Sequence, residues 1–116
     1  MKKIVVTVPV EDAEKVRQAI GEAGGGETGN YSFCSFSVRG VGRFLPGEGA
    51  HPAIGEIGKL AEVEEERIEV TCDDARVADV AAAIRRAHPY EEPVIDVYLL
   101  GIEENLIQEY HIGWHL

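Results

Sequence analysis

The fold is decided by a short stretch, AHPYEEPVIDVY, that occupies residues 87–98. Pro89 disfavours helical geometry at His88, so the helix that precedes it must end there. The apolar, β-branched run from Val94 to Leu100 is typical of a strand. The sequence therefore predicts a rigid corner between a helix and a strand, with a His, a Tyr and two carboxylates inside it.

The segment before this corner predicts a second strand and the helix itself. Arg67 to Cys72 alternates, which turns Ile68, Val70 and Cys72 to one side. Asp73 is a good N-cap for the helix that follows. That helix carries an apolar stripe formed by Val77, Val80, Ala81, Ile84 and Ala87.

The first half of the chain repeats the same order. Lys3 to Val10 is nearly all apolar and predicts an inner strand, and Glu11 to Ala23 has helical periodicity. Three glycines, residues 24–26, end that helix because they permit the left-handed cap. Asn30 to Val38 alternates, and the pattern continues to Phe44. A loop rich in Gly and Pro follows from Pro46 to Lys59.

The predicted order is thus β-α-β-β-α-β over residues 1–100, a ferredoxin-like α+β sandwich. Both helices would cover one face of the sheet and leave the other face for association between subunits. Residues 101–116 form a C-terminal tail in which Tyr110, Ile112, Trp114 and Leu116 alternate with polar residues or glycine. We expect an extra strand there, paired with a neighbouring subunit or with the chain's own sheet.

Composition limits the function classes. The chain has 116 residues, 45% hydrophobic, and a formal net charge of −10. This charge disfavours nucleic acid and anionic membranes as partners. There is no secretory signal and no apolar run of membrane-spanning length, so we expect a soluble cytoplasmic protein. Cys34 and Cys72 are expected to be reduced thiols in the core.

Four segments together resemble YqfO-like proteins, which correspond to the domain inserted in the bacterial Nif-three (Ngg-one-interacting factor) family. They are GNYSFCSF at residues 29–36, GAHPAIGE at 49–56, GKL at 58–60 and AHPYEEP at 87–93. The HPYE element also resembles the CutA family. Two positions depart from the Nif-three pattern, since Phe33 replaces a frequent His and His51 replaces the usual Asn.

The resemblance implies a ferredoxin-like fold and a trimer of the kind formed by CutA and PII proteins. It implies much less about activity. The dinuclear metal site of full-length Nif-three proteins belongs to the flanking domain, and residues 101–116 are only a tail, so the resemblance does not carry that site over to this chain.

His88 with Glu91 and Glu92 is the first candidate site. Imidazole and carboxylates together suit a divalent metal such as zinc or manganese. The alternative, which we favour, is structural: His88 would cap the helix C-terminus and the carboxylates would fix the turn.

Three further candidates are weaker. The loop that carries His51 could line a small-ligand cleft, although it matches neither a P-loop nor a dinucleotide motif. Cys34 is expected to be a small buried hydrophobe rather than a ligand. His111 and His115 would lie too far apart on one strand to chelate a single ion without another chain.

The sequence therefore favours a non-catalytic, trimeric module of the YqfO and CutA type that binds a divalent metal or a small ligand. The first alternative is a metal-dependent hydrolase that uses His88 with Glu91 or Glu92. The second is a purely structural oligomerisation domain. No catalytic residue and no certain cofactor follow from the sequence.

Overall fold

The computed structural model describes residues 1–101 as one four-stranded antiparallel sheet with two helices packed against it. The strands are β1 (Lys2–Pro9), β2 (Phe36–Phe44), β3 (Ala61–Cys72) and β4 (Ile95–Leu99), and the helices are α1 (Ala13–Glu22) and α2 (Val77–Ala87). The strand order β2-β3-β1-β4 confirms the predicted ferredoxin-like arrangement. The predicted pairing strand in the tail lies outside the described residues.

The hydrophobic core lies between the sheet and the helices. Every second residue of β1 and β3 points to the helices, as predicted for Ile68, Val70 and Cys72. The buried cluster is formed by Ile4, Val6, Val8, Ala13, Val16, Ile20, Ile68, Val70, Cys72, Val80, Ile84 and Ala87. None of the helices in residues 1–101 is both long enough and apolar enough to cross a membrane.

The predicted strand from Asn30 is wrong over its first six residues, because β2 begins only at Phe36. The preceding segment is held by the backbone of Gly26, whose N–H donates to Thr71 and whose carbonyl accepts from the N–H of Cys34. Phe33 has a positive φ of 60°, which ends the extended conformation. Cys34 is consequently exposed, and the prediction that it is buried is also wrong.

The face of the sheet without helices is only partly apolar. At its centre, Glu69 of β3 accepts from Lys3 at 3.2 Å and from Arg67 at 3.0 Å. Val5 lies opposite Glu69 in the β1–β3 register and is only 2% exposed. A charged network therefore covers the centre of this face. The part of the face near β2 lies outside this network.

Candidate ligand-binding cleft

His88 connects the end of α2 to β1. Its ring is buried, with Nε2 2.8 Å from the carbonyl oxygen of Thr7 and Nδ1 3.1 Å from the backbone N of Tyr90. Because the amide of Tyr90 can only donate, Nδ1 is the acceptor and Nε2 carries the proton that Thr7 accepts. Both ring nitrogens thus bind backbone groups, and the ring caps no helix carbonyl.

Tyr90 connects the corner after α2 to β3. Its hydroxyl donates to Oε2 of Glu65 at 2.8 Å, and Glu65 is only 7% exposed. Burial, followed by the hydrogen bond to Glu65, raises the pKa of Tyr90 far above its ordinary value, so the hydroxyl remains a donor. The Tyr90 ring meets Phe44 edge-on, with 5.6 Å between ring centroids.

Gly42 makes room for the carboxylate of Glu65. A Cβ atom at position 42 would collide with Oε1 of Glu65. Gly40 pairs with Glu65 in the β2–β3 register, and Gly42 lies two residues further along β2, so Gly42 is on the same helix-free face as Glu65. A side chain at position 42 would therefore displace the carboxylate from Tyr90.

The loop between β2 and β3 folds against the same corner. Its ends are joined by a bond from the N–H of Gly58 to the carbonyl of Pro46, at 2.8 Å. Its middle is held by Glu91, whose Oε1 accepts from the backbone N–H of His51 at 2.8 Å. The structure thus brings together Glu91 and His51, which were predicted to belong to different candidate sites.

These elements enclose an open cleft of about 610 Å³ on the helix-free face, a size typical of small-molecule sites. Thr7 and Glu65 contribute from the sheet, and Glu91 and Glu92 contribute from the corner. The apolar part of the lining includes Val38, Phe44, Pro52, Ala53, Ile54 and Val94.

The predicted metal set does not converge as ligands in this chain. Within residues 1–101, no three His, Cys, Asp or Glu side chains gather as a metal site would require. His88 binds backbone groups through both nitrogens, and Glu91 binds the loop. Metal binding by His88, Glu91 and Glu92 stays a prediction. The other candidate pair, His111 and His115, lies outside the described residues.

Comparison with known proteins places these features in a family context. No family model matches the chain. The chain is 50% identical over 100 residues to a protein from Mycobacterium tuberculosis named GTP cyclohydrolase 1 type 2 homolog, which covers 86% of this chain and 26% of that protein. A protein of the same name from Halalkalibacterium halodurans is 44% identical over 112 residues, which cover 97% of this chain and 30% of the relative.

Among solved structures, a Bacillus cereus protein related to NIF3 matches with a TM-score of 0.74 and 49% identity, over 85% of this chain and 25% of that one. The chain is YqfO-like and resembles one segment of the Nif-three proteins. It spans about a quarter of the length of the curated relatives that it matches.

The same fold occurs in small stand-alone proteins. CutA1 from Pyrococcus horikoshii matches with a TM-score of 0.65 at 18% identity, over 93% of this chain and 92% of that one. The PII-like protein CutA from Nostoc sp. PCC 7120 matches with a TM-score of 0.64 at 18% identity, over 95% and 89%. At such identity the likeness is one of fold alone, and it confirms the CutA-like architecture of this YqfO-like chain.

Proposed function

We propose that this YqfO-like chain is a non-catalytic, oligomeric module that binds a small ligand in the cleft between β2, its following loop and the corner after α2. The cleft itself carries the proposal, because it combines an apolar lining with a buried carboxylate at Glu65. The relatives' name mentions a cyclohydrolase, but the groups suited to proton transfer are engaged here. His88 binds two backbone groups, and the hydroxyl of Tyr90 binds Glu65.

The oligomer is proposed from apolar side chains that the described part of the chain leaves in solvent. On the helix-free face, Phe36 of the edge strand β2 is 66% exposed. Tyr98 and Leu99 of β4 are also exposed. Edge strands with large exposed apolar residues are surfaces on which proteins associate. We propose that the assembly is a trimer in which residues 110–116 form a strand that pairs with the sheet of a neighbouring subunit. We also propose that the protein is located in the cytoplasm.

Sedimentation velocity of the full chain tests the assembly. We expect a trimer, and we expect Phe36→Ser to shift it towards the monomer because an apolar contact at β2 is lost. Ile57→Ser is the matched control, since Ile57 is also exposed but lies in the loop between β2 and β3. A wild-type chain that sediments as a monomer at tens of micromolar would contradict the oligomeric part of the proposal.

Titration with zinc and manganese tests the predicted metal set. Uptake of one ion per chain that His88→Ala removes would support a metal as the ligand. Turnover of a phosphoester that the same change abolishes, with the assembly intact, would instead support the hydrolase. A chain that assembles but binds neither metals nor small molecules would have a structural role only.

A further inference from the structure

The carboxylate of Glu65 has no basic partner in the part of the chain that the structure describes. The basic residues whose positions in the strands put them on the same face, Lys3 and Arg67, both pair with Glu69. The hydroxyl of Tyr90 supplies one hydrogen bond, to Oε2. A buried carboxylate without a counter-charge is costly, and a cation at this position would offset that cost.

Other charges around the cleft do not favour an anion. Arg43, which lines the cleft, forms an ion pair with Glu62 at 3.2 Å. Arg39 and Arg67 also line the cleft, but Arg67 pairs with Glu69 and the side chain of Arg39 starts from the opposite face of β2, because Arg39 is adjacent to Val38 along the strand. Glu91 and Glu92 add acidic groups at the corner, and the whole chain carries a formal charge of −10. Long-range attraction therefore also favours a positive ligand.

The lining indicates an organic cation rather than a metal ion. A metal site needs several converging oxygen, nitrogen or sulfur ligands, and residues 1–101 hold no group of three. Aromatic and aliphatic groups such as Phe44, Val38 and Ile54 line the same cleft as the carboxylate instead. Aromatic rings bind the apolar body of a ligand and also attract a nearby cation through their π-electrons.

We propose that the cleft binds a small organic cation, an amine or amidine on a flat apolar body, whose N–H groups donate to Glu65. The body packs against Phe44, Val38 and Ile54, and Tyr90 holds the carboxylate in position through Oε2. This assignment rests on the proposed function of the cleft as a ligand site. It names the class of ligand that the site takes.

Three probes of similar shape test the charge preference in the unmodified full chain: benzylamine as cation, benzyl alcohol as neutral analogue and benzoate as anion. Their binding is measured by two-dimensional NMR from the shifts of the Phe44, Glu65 and Tyr90 amides. We expect benzylamine to bind at least about tenfold more tightly than either analogue, because a charge-assisted hydrogen bond is roughly twice as strong as a neutral one. Equal affinities, a preference for benzoate or no shift with millimolar benzylamine would overturn the proposal.

Two single-residue variants test whether Glu65 causes the preference for the cationic probe. Glu65→Gln keeps the shape and removes the charge, so we expect it to weaken benzylamine about tenfold and leave benzyl alcohol unchanged. Glu64→Gln, one position along β3 on the opposite face, is the control and should bind like the wild type. Loss of benzylamine binding in both variants, or in neither, would overturn the role of Glu65. Should Glu65→Gln not fold, the three-probe comparison still decides the matter.

Competition experiments distinguish failure of the organic-cation assignment from failure of the proposed ligand-binding function. If zinc chloride displaces benzylamine and binds more tightly, the cleft is a metal site and the organic-cation assignment fails. If benzoate binds the cleft instead, the cation assignment fails while the ligand-binding function survives. If none of the three probes binds, and neither zinc nor manganese binds, then both the organic-cation assignment and the ligand-binding function fail.

Discussion

At the scale of single residues, Gly42 offers a sharp test of how the cleft is built. Gly42→Ala would place a Cβ against Oε1 of Glu65 and push the carboxylate away from Tyr90. We expect the free energy of unfolding, measured with urea, to fall by about 1–3 kcal/mol, as in other overpacked sites. Gly40→Ala is the matched control because it lies on the same face of β2 with no described atom within 4 Å of its Cβ position. Equal losses in the two variants would contradict the close approach.

The two cysteines should differ strongly in reactivity. Cys34 is exposed, whereas Cys72 is 1% exposed, and burial followed by the charge of Asp73 raises the pKa of the Cys72 thiol. Since the thiolate is the reactive form, we expect a thiol reagent to label Cys34 in the native chain and Cys72 only after unfolding. Cys34→Ser and Cys72→Ser identify the two sites by mass. Rapid native labelling of Cys72 would show that the core is open.

At the scale of elements, Glu91 is expected to hold the loop between β2 and β3 against the corner after α2. Glu91→Ala removes the acceptor for the backbone N–H of His51, so amides of residues 45–60 should exchange with deuterium several-fold faster. Glu92→Ala is the matched control, because Glu92 is exposed and makes no hydrogen bond within the described residues. Unchanged exchange in Glu91→Ala would mean that the loop is held by other contacts.

The elements with strong apolar periodicity could be predicted from the sequence, and the polar ones could not. β1, α1, α2 and β4 were predicted to within a few residues because burial gives each a clear pattern. The start of β3 was missed, since its first residues, Ala61–Glu66, include four glutamates and no buried apolar side chain. The segment before β2 alternates like a strand, but the bonds of Gly26 hold it in another conformation.

The same limit applies to the candidate site. Tyr90, Glu91 and the His51 loop stood out in sequence because they are polar or aromatic groups beside Pro and Gly. Glu65 did not, because it is one of several glutamates in β3 and only the register with β2 shows that it faces Tyr90. Its one distinguishing feature, burial, depends on contacts between residues far apart in the chain.

At the scale of the whole molecule, the Lys3–Glu69–Arg67 network should make stability depend on acid. The hydrogen bond from Arg67, followed by that from Lys3, holds the pKa of Glu69 below its ordinary 4.5. A lowered pKa contributes stability above pH 4.5, and this contribution is lost as the pH falls through the folded-state value. We therefore expect Glu69→Gln to be less stable than the wild type at neutral pH, by a small margin because the network is partly solvated.

Urea unfolding from neutral pH down to about pH 2 measures this difference, which should shrink as Glu69 becomes protonated. Glu64→Gln is the control, because Glu64 forms no ion pair within residues 1–101, and it should unfold like the wild type at neutral pH. A difference between Glu69→Gln and the wild type that is the same at every pH would contradict the electrostatic account.

The pairing of the first and last strands, β1 and β4, has a consequence for how other proteins can carry such a unit. Lys2 pairs with Leu99, and the N–H of Leu100 donates to the carbonyl of Met1 at 3.2 Å. Paired residues in adjacent antiparallel strands have Cα atoms about 5 Å apart, so the polypeptide enters and leaves at one point. A host chain can therefore accept the whole unit within a single surface turn, with no need to stretch or reshape its own backbone.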